Sequence, residues 1–133
     1  MNRLFALLFA VSVVTASYAG VVTVKCAIAV DKDTKPATSF TSDTPKLYAF
    51  FLSKGTEKGD LLRGVWIAED VGEAAPESTI IDEATLTADK DDFGGAFSAS
   101  KPDKGWPIGK YKVEIYDGEE LVWTANFTIT AAK

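Results

Sequence analysis

The last quarter of the chain carries a pattern that few folds accommodate, two alternating segments joined by a tight turn. Tyr111, Val113 and Ile115 alternate with polar residues, and Asp117-Gly118 follows them. This dipeptide favours a two-residue hairpin turn, because both central positions of that turn need positive φ. The return segment again places apolar residues at every second position: Leu121, Trp123, Ala125, Phe127 and Ile129. The C-terminal region is therefore predicted to be an antiparallel hairpin with one buried face.

Five further segments upstream have the alternation or composition of strands: 22–30, 46–53, 61–68, 79–88 and 93–99. Segment 46–53 is apolar on both faces, with Tyr48, Phe50 and Leu52 opposite Leu47, Ala49 and Phe51. Segment 79–88 is predicted to be a strand, although part of it also fits a short helix. With the hairpin, these segments predict an all-β fold, a single seven-stranded antiparallel sandwich of two sheets.

Residues 31–45 form a long polar connection between the first two predicted strands. Phe40 is the only large apolar residue in it. Fifteen residues without structure of their own are unusual in a compact domain. We therefore expect Phe40 to pin this segment to the core.

The N-terminus has the pattern of a secretory signal. Arg3 gives a positive start, an apolar run follows, and Ser17 and Ala19 supply the small residues of a cleavage site. The apolar run is shorter than the roughly 20 residues that span a bilayer. We therefore predict a signal peptide at residues 1–19, one domain at residues 20–133, and a secreted or periplasmic product without membrane insertion.

Composition excludes several kinds of chemistry. The chain has no histidine and one cysteine, which removes Ser-His-Asp and Cys-His catalysis, zinc sites built from these residues, and an intramolecular disulfide. A net charge of −5 argues against nucleic-acid binding. Asp89, Asp91 and Asp92 resemble the start of a calcium loop, but Ser100 stands where the bidentate Glu belongs. We expect no enzyme activity, no cofactor and no metal.

Several of these residues also carry a resemblance to a known class of domain. Trp66 lies in the third predicted strand, and Gly109-Lys110-Tyr111 is similar to a tyrosine corner. In these features, and in the run from Trp106 to Gly118, the chain resembles immunoglobulin-like and fibronectin type III-like domains of secreted bacterial proteins. It departs from antibody-type domains in lacking the paired cysteines, since Cys26 is alone. The resemblance implies binding, assembly or display rather than catalysis.

The alternation also predicts a protein-binding surface. If Trp66 points into the core, its neighbours Val65 and Ile67 point outward, beside Tyr116 and Val122 on adjacent strands. A contiguous apolar patch on a sheet face often marks a protein interface. We expect this patch to bind a protein partner or to mediate self-association, unless the long loop with Phe40 covers it or its members are scattered surface hydrophobes.

A carbohydrate-binding module is the alternative function. It would use the exposed aromatic residue Trp106 together with Tyr48 or Tyr116. Trp106 precedes a proline in a loop, where it could contact a ligand or cover one end of the sandwich, and the second interpretation is favoured. Cys26 is expected to be an inert buried thiol. Asn126 begins a glycosylation sequon on an outward face, and the sequence leaves its use open.

Overall fold

The computed structural model describes residues 22–132, so the predicted signal peptide at residues 1–19 lies outside the described residues. Two β-sheets face each other within this range. Their strands are β1 (Thr23–Ala29), β2 (Ser39–Thr41), β3 (Lys46–Lys54), β4 (Leu61–Asp70), β5 (Thr79–Thr87), β6 (Gly94–Ser100), β7 (Gly109–Asp117) and β8 (Glu120–Thr130). A short 3-10 turn, Gly72–Ala74, lies between β4 and β5.

The smaller sheet has three antiparallel strands in the order β1-β3-β6. Its central strand β3 follows the period of two that the sequence predicts. Leu47, Ala49 and Phe51 point into the sandwich and are at most 3% exposed. The intervening side chains of β3 consequently lie on the outer face of this sheet.

The larger sheet has five strands in the order β2-β8-β7-β4-β5. All its pairs are antiparallel except the first, because β2 runs parallel to β8 from Ser39, opposite Thr128, to Thr41, opposite Thr130. The ring of Phe40 meets that of Phe127 edge-on at 6.1 Å. Phe40 therefore anchors the long connection, as the sequence predicts, and forms a short strand there.

The tryptophan of the third predicted strand and the tyrosine of the predicted tyrosine corner meet in the core around Phe127. The ring of Tyr111 stacks on that of Phe127 at 5.2 Å, and Trp66 meets Phe127 edge-on at 5.9 Å. Trp66 and Tyr111 are each 1% exposed. Large aromatic side chains in these geometries add attraction beyond the area they bury. The predicted core tryptophan is confirmed.

The tyrosine corner also forms. The Tyr111 hydroxyl donates a hydrogen bond to the backbone carbonyl of Pro107, four residues upstream. Gly109, between them, has φ of +151°, and a β-carbon there would lie 2.2 Å from the carbonyl oxygen of Asp70. Only glycine fits so close to another backbone. The crossover into β7 is thus fixed by two residues that the sequence motif contains.

The predicted all-β sandwich is confirmed, and the segment at 79–88 is strand rather than helix. The eighth strand, β2, was not predicted, because three residues are too few to display a period of two. It also adds a parallel pair to a sandwich predicted to be fully antiparallel. Among residues 22–132, no helix has the length and apolar character needed to span a bilayer.

Candidate functional site

The outer face of the larger sheet does not expose the apolar patch that the sequence predicts. Val65 and Ile67 are only 2% and 7% exposed. Both belong to β4, which has β5 on one side and β7 on the other. A side chain on an inner strand has neighbours on both adjacent strands, and these can cover it even when it points to the outer face of the sheet.

Polar side chains of the neighbouring positions occupy this face. The Arg63 guanidinium lies 4.5 Å from the centre of the Tyr116 ring, and the Tyr116 hydroxyl donates a 2.9 Å hydrogen bond to Glu114. The Lys112 ammonium is 3.5 Å from the same carboxylate. The bond to Glu114, followed by burial, raises the pKa of the Tyr116 hydroxyl. Tyr116 is thus engaged within the sheet instead of being part of an open apolar surface.

Val122 differs from its predicted orientation. The β7–β8 pairing shifts between Ile115 and Tyr116, so that Ile115 pairs with Trp123 while Tyr116 pairs with Leu121. Val122 is the extra residue at this irregularity, and it packs against the buried core. A bulge breaks strict alternation. The four predicted interface residues therefore do not share an exposed face.

Trp106 is a lid on the core and is unavailable for stacking on a sugar. It is 2% exposed, and its indole N–H donates a 2.8 Å hydrogen bond to the carbonyl of Thr44. Its ring meets that of Tyr111 edge-on at 5.9 Å. A cavity of about 590 Å³ at this end of the sandwich is lined by both rings and by Val71 and Ile81 among others. The carbohydrate hypothesis requires an exposed tryptophan at position 106, and Trp106 is buried.

Tyr48 lies on the outer face of the smaller sheet, but neither side of its ring is free. The Phe50 ring is stacked on it at 5.4 Å with an interplanar angle of 22°, and the Lys46 ammonium lies 5.4 Å from its centre. Lys46 and Phe50 come from opposite sides along the strand, because they are two residues before and after Tyr48. A sugar would have to displace one of them to stack on this ring.

An exposed apolar surface lies here, along β3. Leu52 follows Tyr48 and Phe50 on the outer side and is 69% exposed, more than any other large apolar side chain among residues 22–132. Ala27 of β1 and Ala96 of β6 flank Phe50. We name this surface the ridge face and define it by Tyr48, Phe50, Leu52, Ala27 and Ala96. The alternation of 46–53, apolar on both sides, was the sequence signal for it.

The strand beside the ridge leaves room next to Leu52. Gly94 pairs with Leu52, and a β-carbon on Gly94 would approach the Leu52 Cδ2 atom to 2.8 Å. A surface depression of about 470 Å³ is lined there by Lys25, Phe50, Leu52 and Gly95 among others. The ridge face therefore combines one projecting apolar side chain with a shallow recess. An opposing protein surface can be complementary to this shape.

The acidic turn that resembles a calcium loop has a structural role. Asp91 accepts a 3.0 Å hydrogen bond from the backbone N–H of Lys58, and Asp92 accepts one of the same length from Gly55. These carboxylates tie the β5–β6 turn to the β3–β4 loop. In the part of the chain that the structure describes, no three His, Cys, Asp or Glu side chains are grouped to hold a metal ion.

Cys26 of β1 packs against the buried core but is itself only half-buried. A surface groove beside it is lined by residues of β1 and β8, including Ile28, Trp123 and Ala125. Burial raises the pKa of the thiol to about 12. Because the thiolate is the reactive form, this environment favours an unreactive cysteine.

The fold is shared with solved structures. An immunoglobulin-like protein from Pseudomonas aeruginosa superimposes with a TM-score of 0.52 at 13% sequence identity, and the match covers 84% of this chain and 93% of that one. No protein-family model matches the sequence, and no curated protein matches it significantly. At this identity the likeness establishes an immunoglobulin-like β-sandwich fold and nothing further.

Two other solved structures contain the same fold within a much longer chain. The alkylpurine DNA glycosylase AlkC of Pseudomonas fluorescens, bound to DNA containing an abasic site analog, matches with a TM-score of 0.50 at 11% identity, over 83% of this chain and 30% of that one. A β-glucosidase from Listeria innocua, in complex with gluconolactone, matches with a TM-score of 0.51 at 7% identity, over 84% of this chain and 16% of that one. The present chain thus spans only a small part of either enzyme.

Proposed function

We propose that this chain is a secreted or periplasmic, noncatalytic immunoglobulin-like module that binds another protein through the ridge face. The observation that carries the proposal is the exposure of Leu52 at 69% on a sheet face that already presents Tyr48 and Phe50. The signal pattern at residues 1–19 supports the location.

The surroundings of the ridge support a protein partner. Small side chains, Ala27 and Ala96, flank Phe50, so an opposing surface can approach the central strand from either side. Protein interfaces are enriched in aromatic residues at their centre and surrounded by a more polar rim. The ridge has this arrangement, whereas Val65 and Ile67 are buried under the larger sheet's own side chains.

A carbohydrate partner has less support. A sugar platform presents the flat side of an aromatic ring, and on this face Phe50 and Lys46 occupy both sides of the Tyr48 ring. Trp106 is held inside by its bond to Thr44. The exposed Leu52 side chain beside these rings suits packing against apolar side chains of a protein.

Affinity capture with a ridge variant tests the proposal. The protein and its Leu52→Lys variant are immobilised, and each is exposed to the extracytoplasmic fraction of the native organism. A partner should be retained by the unaltered protein and lost from Leu52→Lys. The matched control is Leu61→Lys, because Leu61 is also exposed, at 52%, but lies on β4 of the other sheet. Equal retention by all three proteins would contradict a binding role for the ridge.

A further inference from the structure

Building on the proposed function, we infer that the ridge face takes a protein surface with an apolar centre bordered by carboxylates. The distribution of charge over the two sheets points to this partner chemistry, because the charged residues of the smaller sheet differ sharply from those of the whole chain.

Every charged side chain in the smaller sheet is a lysine. Strands β1, β3 and β6 contain Lys25, Lys46 and Lys54 and no Asp or Glu. The chain as a whole has 19 acidic and 14 basic residues. A sheet free of carboxylates on an acidic protein presents a local positive field, which favours an acidic partner and repels a basic one.

The three lysines border the ridge and leave its centre apolar. Lys46 and Lys54 begin and end β3, about 26 Å apart for a strand of this length. Lys25 lies beside Leu52 on the neighbouring strand. The loop residue Asp92 accepts a hydrogen bond from the backbone of Gly55, next to Lys54. The complementary surface therefore has apolar side chains in its centre and acidic side chains at its border.

Two other occupants fit less well. A second copy docked symmetrically by the same face would set lysines against lysines, because a two-fold contact pairs identical surfaces. An anionic membrane would attract the lysines but repel the remainder of a chain with net charge −5. On the ridge itself, Leu52 is the one large apolar side chain that is mostly exposed, which is a small area for insertion into lipid.

Two designed peptides test the inference directly. Both form helices with leucines along one side, and the residues bordering the leucines are glutamates in one peptide and lysines in the other. Titration into the isotope-labelled protein should show about tenfold tighter binding of the glutamate peptide, the size expected from three exposed ion pairs. The affected amides should lie in β1, β3 and β6. Equal affinity for the two peptides, or shifts confined to the larger sheet, would overturn the inference.

Charge variants supply the control. The triple variant K25Q/K46Q/K54Q should reduce the preference for the glutamate peptide to about twofold or less. The variant K32Q/K35Q/K58Q removes the same charge from exposed loop lysines and should keep the tenfold preference. Loss of the preference in both variants would refute a role for the bordering lysines, since net charge would then explain it.

Further outcomes separate this inference from the proposed function. If Leu52→Lys abolishes capture of the partner while the peptides are not distinguished, the ridge remains a binding site and the inference fails. A dimer in sedimentation that Leu52→Lys disrupts would also contradict it. Binding to vesicles of phosphatidylcholine and phosphatidylglycerol in equal parts, tighter than binding to the glutamate peptide, would overturn it in favour of a membrane surface.

Discussion

Gly64 of β4 lies against the ring of Phe97 in β6, so that the two sheets touch at a position without a side chain. A β-carbon on Gly64 would come within 2.5 Å of the Phe97 Cγ atom. The Phe97 ring is itself stacked on Phe51 at 5.2 Å and has little room to move. This contact sets the spacing of the sheets on the side of the sandwich closed by β5 and β6.

Substitution Gly64→Ala should therefore destabilise the protein by about 1–3 kcal/mol, the usual range for overpacking a close-packed core. Urea unfolding followed by tryptophan fluorescence measures the change. The control is Gly94→Ala, where the nearest atom belongs to the end of the exposed Leu52 side chain, which can turn away. Similar losses for the two variants would show that steric contact with Phe97 is not the cause.

Removing the hydroxyl of Tyr111 should weaken the fold without unfolding it. Tyr111→Phe keeps the ring stacked on Phe127 and deletes the hydrogen bond to the Pro107 carbonyl. We expect a loss of about 1–2 kcal/mol in the free energy of unfolding. Tyr116→Phe deletes a hydrogen bond on the outer face and should cost less than about 0.5 kcal/mol. The reverse order in urea titrations would contradict the importance of the corner.

Alkaline pH should destabilise the folded state through the same tyrosine. Burial raises the pKa of Tyr111 from 10.0 to about 12. Because folding favours the protonated phenol, its contribution to stability is complete below pH 10.0 and is lost as the pH rises through about 12. Between about pH 10 and about pH 12, the unfolding free energy should fall more steeply for the unaltered protein than for Tyr111→Phe. Parallel pH profiles for the unaltered protein and Tyr111→Phe would contradict a loss of stability through ionisation of Tyr111.

Cys26 should react slowly with thiol reagents while the protein is folded. Its pKa is raised from 9.0 to about 12 by burial, so the thiolate is scarce near neutral pH. We expect labelling by a chromogenic disulfide at about pH 8 to be at least tenfold slower than in urea-unfolded protein. Cys26→Ser supplies the blank. Labelling of the folded protein at the unfolded rate would mean that the thiol is more accessible than its position on β1, packed against the core, implies.

The sequence determined most of the architecture because its signals were local. Alternation identified seven of the eight strands, and the tyrosine corner at Tyr111 followed from its motif. Strand β2 was not predicted, because its three residues pair with β8, which lies more than eighty residues further along the chain. Such a pairing depends on tertiary contacts that no short window contains.

The binding face was harder to predict, because alternation gives the direction of a side chain and not its exposure. Val65 and Ile67 point outward as expected, yet neighbouring strands on both sides bury them. Val122 turns inward at a bulge, which shifts the period by one residue. Leu52, on a strand equally apolar on both faces, stays exposed because Gly94 and Lys25 flank it.

The parallel contact of β2 with β8 has a mechanical consequence. Strand β2 follows β1 closely in the chain, while β8 ends at Thr130, and the two are joined by bonds such as that from Thr128 to Thr38 and from Ser42 to Thr130. Strand β1 precedes β2 in the chain and pairs with β3, so once β1 has detached, tension applied at the two ends of the chain would act along β2 and β8 in opposite directions. All the bonds between them would then be loaded together in shear, so the domain should resist stretching better than one whose terminal strands peel apart one bond at a time.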